Sequence, residues 1–575
     1  MADYKAPVAE YDFLLRRVLN AQPVLDSVTG GDVDLDDVSE ILGHAGTLAS
    51  EVIEPLNAIG DRSGNALTDG RVTTAPGFTE AYKAYAEGGW VGIGLPREAG
   101  GDGMPAVVTA ALNEIWSAAN MAFSLGPGLS VGAAYAVFTA ASEELKQLYL
   151  PPLVSGRWTG TMNLTEPQSG TDLAGIRTIA RPRPGGTWVV KGQKIFVTWG
   201  DHDLTENIVH LVLARTEGAP AGLAGLSLFL VPKYLPRSDG TLGERNAVHT
   251  VSVEHKLGIH ASPTCVLDYD NATGWLVGNL HRGLEAMFVM MNVARVGVAT
   301  QGLGVADRAY QRAAAYAAER VQGSVEGRPA GTPIAEHPDV RRLLLSMRST
   351  VSAMRALQLQ VAVWLDVARA QRAAEASALA DFFVPILKSW LTENSVQIAN
   401  DGIQVHGGTG FIEETGAAQY LRDARILPIY EGTTAIQAND LTRRKLTRNN
   451  GAIAHAAYAL VESTVQSLTG HDHPVAQRTV QRLQAALVSA REATVTLLAQ
   501  AKDNPRDLLA GGVPYLTQWG LLAGGWMHAR ILAAALDAPE DSDTARRALD
   551  ADFYGAHYLS RIPSLTEAIR AGEIV

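Results

Sequence analysis

Few stretches of this sequence carry residues that could do chemistry, and the most distinctive is "IYEGTTAIQAND", where Glu431 stands alone between an apolar run and a Gly-Thr-Thr run. A carboxylate there suits two different jobs. It could open a helix, because the first turn carries partial positive charge. It could also be a base that removes a proton from a substrate held against it. A second stretch, "MNLTEPQSGTDLAG", puts hydroxyls, glycine and a Glu-Pro turn directly after an apolar strand. These residues dominate ordinary turns for backbone reasons, and the same amides and hydroxyls could face a polar ring or a phosphate. A third, "KIFVTWGDHD", ends another strand with Phe196 and Thr198 at period-two spacing, an aromatic and a hydroxyl side by side that could cover a planar cofactor. Other signatures fail. "GLGVAD" at Gly302 and "VHGGTGF" lack the strand-turn-helix setting of a dinucleotide fingerprint. "HDHP" at His471 has no clustered partner ligands, so no metal is expected.

Positioning such groups takes several folded units. At 575 residues, with roughly 150 residues per domain as a guide, about four units are expected. Hydrophobic residues at 47% and charged residues at 19% describe a globular chain. A net charge of −12 offers no field for phosphate backbones or anionic lipid, so neither nucleic acid nor membrane is an expected partner. Cys265 is the only cysteine, which excludes an intrachain disulfide framework and suits a reducing interior. The N-terminal stretch shows no signal or transit pattern; a cytoplasmic protein is expected. The most membrane-like run, "WGLLAGGWMHARILAAAL" from Trp519, contains His528 and Arg530 and reads as a buried helix.

The apolar spacing is mostly helical from Tyr11 to about Trp158, interrupted by the loop "GGWVGIGLPREAGGDGMP". Short β-type runs fill about Thr159 to Tyr269. Helical patterns return at 284 to 320, 338 to 374 and 378 to 405, lengths that fit a helix bundle. After Arg448, "NNGAIAHAAYAL" reads as a looser junction, followed by helical patterns near 473 to 502, 513 to 537 and 543 to 571; "DAPEDSDTARR" reads as a solvated loop.

Taken in order, "GGWVGIGLPREAGGDG", "LTEPQSGTDLAG", "KIFVTWG", "HASPTC", "DGIQVHGGTGFIEE" and "LRDARILPIYEGTTAIQ" give the chain a resemblance to the acyl-CoA dehydrogenase family of flavoproteins, strongest over residues 80 to 447. The outer segments resemble a longer branch of that family. The resemblance implies an α+β multi-domain chain: an N-terminal helical domain (1–158), a central β-barrel domain (159–275), a C-terminal four-helix bundle carrying the base (276–448) and an extra C-terminal helical domain (449–575). FAD would lie between barrel and bundle. The extra helices would occupy space that a second dimer fills in short tetrameric relatives, which implies a homodimer.

The implied reaction is α,β-dehydrogenation of an acyl-CoA thioester to the trans-2-enoyl-CoA. Glu431 matches the catalytic base; burial beside an apolar chain raises a carboxyl pKa toward operating pH. The Glu431 N–H and an FAD ribityl hydroxyl would polarise the thioester carbonyl, and Gly432 would let the thioester approach the backbone. Met162, Leu164, Thr165, Phe196 and Thr198 match residues around the isoalloxazine ring. Arg320 matches an arginine that reaches the pyrophosphate, Thr433 a further dinucleotide contact, and Gln404, Gly407 and Gly408 a segment from the neighbouring subunit. Asn292 and Arg295, three residues apart on one helix face, match a CoA-binding pair with Asn where relatives carry Asp. Thr171 matches a hydroxyl near the pantetheine and cofactor. An electron-transferring flavoprotein is the implied acceptor.

The acyl group stays open between a thioether-containing chain such as 3-methylthiopropanoyl, a short or medium chain, and a broad range of straight chains, since one methylene is worth only about 1 to 3 kcal/mol. A rival from another class is a DNA-associated flavin-containing stress protein. That reading requires a basic terminal domain, whereas residues 451–575 hold 10 Lys+Arg against 13 Asp+Glu.

Overall fold

The computed structural model describes residues 4–537 and 543–574. Its contacts divide into two units. One comprises Thr47–Met104 and Ala119–Gly297; the other comprises the chain up to Gly46, Pro105–Ala118 and Val298 onward.

The first of these units is built on a sheet. Hairpin β1 (Ala66–Thr68) and β2 (Arg71–Thr73) precedes it, and hairpin β8 (Tyr234–Pro236) and β9 (Leu242–Arg245) lies within its chain span. The seven main strands are β3 (Trp158–Asn163), β4 (Ile179–Pro182), β5 (Trp188–Thr198), β6 (Asn207–Thr216), β7 (Leu226–Pro232), β10 (Val248–Val253) and β11 (Thr264–Val277). They run in the order β10-β11-β5-β4-β6-β3, and β7 pairs with both β6 and β11, so the pairing path returns on itself. Both faces of β6 are covered, which explains its unbroken apolar run. Leu211 and Leu213 join a cluster with Ala133, Val137, Tyr149 and Trp158, while Val212 and Ala214 turn the other way toward Phe229, Val231 and Tyr269.

Helices Met121–Ala140 and Glu143–Val154 cover one face. Each begins at a capping residue: Asn120 accepts from the Phe123 N–H at 3.1 Å, and Ser142 from the Leu145 N–H at 3.4 Å. Gly160 lets β3 approach the first helix closely, since a Cβ there would lie 2.3 Å from that of Ala133. Met121–Ala140 and Gly283–Glu319 are long and apolar enough to cross a membrane, and 67% and 50% of their apolar windows are buried inside the protein.

The second unit is helical. Pro338–Gln371 and Ala374–His406 pack along each other, and Arg355 joins elements through ion pairs to Glu114 at 2.6 Å and Asp307 at 3.0 Å, all buried. Beyond Arg448 come Ala452–Thr469, Pro474–Asp503, Gly512–Leu536, Thr544–His557 and Ile562–Ala571. The Trp519 run is the buried core of Gly512–Leu536, with Trp519 stacked on Tyr458 at 4.6 Å.

Three local expectations change. "NNGAIAHAAYAL" is a junction only at Asn449, Asn450 and Gly451, which adopt left-handed φ values of 54°, 50° and 80°; an 18-residue helix starts at Ala452. In "DAPEDSDTARR", residues 538–542 lie outside the described residues, while Thr544 starts a helix whose Arg547 is buried against Glu10 at 3.0 Å. The expected helix over 543 to 571 is broken at Tyr558, where a short turn separates Thr544–His557 from Ile562–Ala571.

Candidate active site

In the sheet-based unit, β3 alternates as it reaches its end: Thr161 and Asn163 are buried, Met162 and Leu164 partly open. A polar chain fixes the buried side. The Tyr269 hydroxyl donates to Asn163 Oδ1 at 2.9 Å, Asn163 Nδ2 donates to Thr161 Oγ1 at 2.9 Å, and Thr161 Oγ1 meets His210 Nδ1 at 2.7 Å. Burial holds His210 neutral, its pKa pushed down to about 3.

The following loop is tied to β5, because the Ile195 N–H donates to the Thr165 carbonyl at 2.9 Å. The structure thereby brings Met162, Leu164 and Thr165 beside Phe196 and Thr198. Phe196 has φ 56° and is 59% exposed, whereas Val197 is buried. The register of β5 against β11 slips here, with Val197 opposite Cys265 but Lys194 opposite Leu267. This β-bulge aims the phenyl ring outward. An exposed aromatic held in a costly backbone conformation marks a site rather than a core. With partly open Met162, Leu164, Thr165 and Thr198 around it, the donor and apolar set fits the ring of a flavin.

Two residues that sequence reasoning missed hold this loop. Lys194 Nζ donates to the Leu164 carbonyl at 2.9 Å and to Glu166 Oε1 at 2.8 Å. The Glu166 carboxylate also accepts from the Arg177 N–H at 2.7 Å and the Thr178 N–H at 3.0 Å. Burial works against the Glu166 charge, but Lys194 and these hydrogen bonds hold its pKa at about 2. Burial pulls Lys194 down to about 8 against the opposing pull of Glu166. The available signal was a lysine inside the strand run "KIFVT".

Thr171 is exposed, in a turn where the Asp172 carboxylate accepts from the Ala174 N–H at 2.9 Å. Asn292 and Arg295 share the Gly283–Glu319 helix but differ in burial: Asn292 is exposed and Arg295 is 9% exposed. The spacing puts both on one side of the helix, yet only Asn292 reaches solvent freely.

In the helical unit, the remaining residues form two groups. Arg320 follows the Gly283–Glu319 helix and is exposed. Gln404, Gly407 and Gly408 close the Ala374–His406 helix, also exposed. The groups are neighbours, since Tyr316 stacks on His406 at 4.4 Å and its hydroxyl lies 3.3 Å from Thr409 Oγ1. Gly407 has φ 61°, and a Cβ at Gly407 or Gly408 would meet nothing within 4 Å. That leaves open space beside the turn.

Glu431 sits in a tight turn before helix Thr434–Asn439, with φ 54° followed by Gly432 at φ 91°. It is partly accessible, and Thr433 occupies the N-cap position. Packing around the neighbouring Tyr430 phenol, and secondarily the Glu431 carboxylate, pushes that phenol well above its usual pKa; the Tyr430 hydroxyl donates to Gln301. Two further residues missed from sequence meet the backbone here. Lys388 Nζ donates to the carbonyls of Leu427 at 2.9 Å and Gly432 at 2.8 Å, and Gln437 Nε2 to those of Glu431 at 3.0 Å and Gly432 at 3.3 Å.

Comparison with known proteins identifies the family. Three family models follow one another along the chain: acyl-CoA dehydrogenase N-terminal domain over residues 63–157, middle domain over 161–272 and C-terminal domain over 281–446. A curated relative, 3-methylmercaptopropionyl-CoA dehydrogenase of Ruegeria pomeroyi, is 46% identical over 546 residues, 94% of this chain and 93% of its own. The chain belongs to the acyl-CoA dehydrogenase family. It is a flavoprotein oxidoreductase of that family, with an N-terminal helical, a middle β and a C-terminal helical domain. A fourth model, acetyl-CoA dehydrogenase C-terminal like, covers the extra region at 457–574. The broad-specificity linear acyl-CoA dehydrogenase of Mycobacterium tuberculosis is 34% identical over 99% of this chain and 98% of its own. Among solved structures, Caenorhabditis elegans ACDH-11 in complex with C11-CoA aligns at TM-score 0.80 over 97% of this chain and 93% of that one, with 20% identity, a likeness of fold.

Proposed function

We propose that this acyl-CoA dehydrogenase oxidises 3-methylthiopropanoyl-CoA or a closely similar short acyl-CoA at its α,β bond, with Glu431 as the base. The observation that carries the reading is the Glu431 turn: a carboxylate held at φ 54° next to a glycine at φ 91°, where a thioester can approach the backbone. FAD, when bound, would supply the hydride acceptor for the β-hydrogen. Glu431 takes the α-proton onto its carboxylate, and its own N–H is available to a carbonyl oxygen gaining negative charge. Phe196, Met162, Leu164, Thr165 and Thr198 would hold the flavin ring, with Arg320, Thr433 and Thr171 contacting the rest of the cofactor. Thr171, Asn292 and Arg295 would meet the CoA arm, and the buried setting of Arg295 favours a short charge-assisted contact over a surface one.

The identity to the Ruegeria enzyme supports the thioether acyl group. The Mycobacterium relative, matched over nearly the whole chain, supports a second reading, a broad range of straight acyl chains. The same proposal takes β4, β5, β6, β7 and β11 as a closed barrel wall. It also includes a cytoplasmic homodimer in which Gln404, Gly407 and Gly408 serve the partner's flavin, and an electron-transferring flavoprotein as acceptor.

The test is anaerobic bleaching of the flavin against a panel of acyl-CoAs including 3-methylthiopropanoyl, straight, branched and aromatic thioesters, in the parent protein and in Glu431→Gln. Bleaching fastest with the thioether substrate, and a yellow Glu431→Gln protein that does not bleach, are the expected results. Equal rates across C4 to C16 favour the second reading; no bleaching with any thioester removes the dehydrogenase assignment.

A further inference from the structure

Lys388 is wholly buried in the middle of the Ala374–His406 helix, and Gln437 is 1% exposed in the helix after the catalytic turn. Their donors converge on one short stretch of main chain. Lys388 takes the Leu427 carbonyl four residues before Glu431 and the Gly432 carbonyl one residue after it. Gln437 takes the carbonyls of Glu431 and Gly432. Peptide planes are rigid, so holding these two carbonyls fixes both planes that follow the Glu431 Cα. The turn on the other side is closed by the Tyr430 N–H to the Ile426 carbonyl at 3.1 Å and the Thr434 N–H to the Pro428 carbonyl at 3.2 Å. Glu431 thereby keeps a φ that L residues adopt reluctantly. Gly432 leaves room for the clamp, because a Cβ there would lie 2.8 Å from Gln437 Nε2.

We propose that Lys388 and Gln437 are positioning residues for the reaction: together they hold the main chain around Glu431 so that its carboxylate meets the α-carbon. The inference rests on Glu431 being the base. Neither residue touches substrate; both act through the backbone that aims the side chain. A lysine is suited to the task because one buried ammonium donates to two carbonyls at once.

The test uses flavin-loaded Lys388→Met and Gln437→Met proteins, with Glu431→Gln alongside. Three quantities are measured: flavin content with melting temperature, kcat and KM for the best thioester, and exchange of the α-hydrogens of acetyl-CoA in D2O. Acetyl-CoA has α-hydrogens but no β-carbon, so exchange reports proton removal alone. A base displaced by ~1 Å loses about 100-fold in rate. The expected result is therefore a fall of about that size in both kcat and exchange, with KM changed no more than about threefold, flavin retained, and partial recovery in Lys388→Arg, which restores a cationic donor. Parent-like kcat and exchange in both folded variants overturn the proposal. So does loss of folded yellow protein in both, which would make the clamp a purely structural feature. If only one variant folds, its kinetics decide. Full turnover in Glu431→Gln removes the base assignment itself, whereas a dead Glu431→Gln beside active Lys388→Met and Gln437→Met removes only the clamp.

Discussion

Replacing Lys194 by Met separates the two halves of a buried ion pair that ties down the loop proposed to hold the flavin ring. In the folded protein the Glu166 carboxyl is held at about 2 rather than the ordinary 4.5, and the Lys194 ammonium at about 8 rather than 10.5. Each displacement corresponds to about 3 kcal/mol, and the signs oppose. The depressed carboxyl contributes stability present above pH 4.5 and lost as pH falls toward about 2. The depressed lysine subtracts stability at neutral pH, a penalty relieved as pH rises from about 8 to 10.5. The pair as a whole is close to neutral, which is the usual state of buried ion pairs. Removing one partner is different, because Glu166 keeps only hydrogen bonds to balance its burial. Lys194→Met should cost about 3 to 5 kcal/mol, including about 1 kcal/mol for the Leu164 carbonyl that loses its donor. Glu166→Gln with Lys194→Met should recover most of that loss. Urea unfolding of the flavin-free proteins gives the energies, and the temperature of flavin release reports the loop. A Lys194→Met protein within about 1 kcal/mol of the parent, or a double variant less stable than the single one, refutes the reasoning.

Phe196→Gly should uncouple cofactor binding from folding. The side chain is 59% exposed at φ 56°, so the flavin-free protein should melt no lower than the parent, gaining up to about 1 kcal/mol from relieved backbone strain, while flavin affinity falls about tenfold for want of the ring contact; flavin titration and thermal melts of the flavin-free protein check both. His202 and His210 are buried neutral, each pushed by burial from 6.5 to about 3. Their contribution is fully present above pH 6.5 and lost as pH falls through the window to about 3, because the unfolded chain takes up two protons that the fold refuses. Unfolding free energy should therefore drop by roughly 3 kcal/mol per pH unit near pH 5 from this pair, and a flat profile between pH 6 and 4 would remove it.

The fold was legible where one periodicity runs long. The apolar spacing of 338 to 374 and 378 to 405 lies within a few residues of Pro338–Gln371 and Ala374–His406, since three or more turns of consistent burial leave little ambiguity. Ala452–Thr469 was obscured because "NNG" reads as the start of a long loop, while only three residues need left-handed geometry. The return of the strand path through β7 was not legible, because the pairing partner of a strand buried on both faces leaves no alternation to read.

The site divides in the same physical way. Residues at open turns and strand ends left a signature: Glu431, Phe196, Gly407 and Gly408 stand out by type. Residues that act through the main chain left almost none. Lys388 lies in "PILKSWL" and Lys194 in "KGQKIFVTW", and a lysine there reads as a solvated interruption of an apolar run. Both are instead buried with their ammonium groups on carbonyls, Leu164 for one and Leu427 and Gly432 for the other. The common requirement is geometric. Phe196 and Glu431 both hold left-handed φ values that cost free energy in isolation; Glu431 precedes the Gly432 carbonyl that Lys388 holds, and Phe196 lies two residues along its strand from Lys194, whose ammonium holds the Leu164 carbonyl and the Glu166 carboxylate of the neighbouring loop. In each place one buried ammonium satisfies two acceptors at once, two carbonyls at the Glu431 turn and a carbonyl with a carboxylate in the loop beside Phe196.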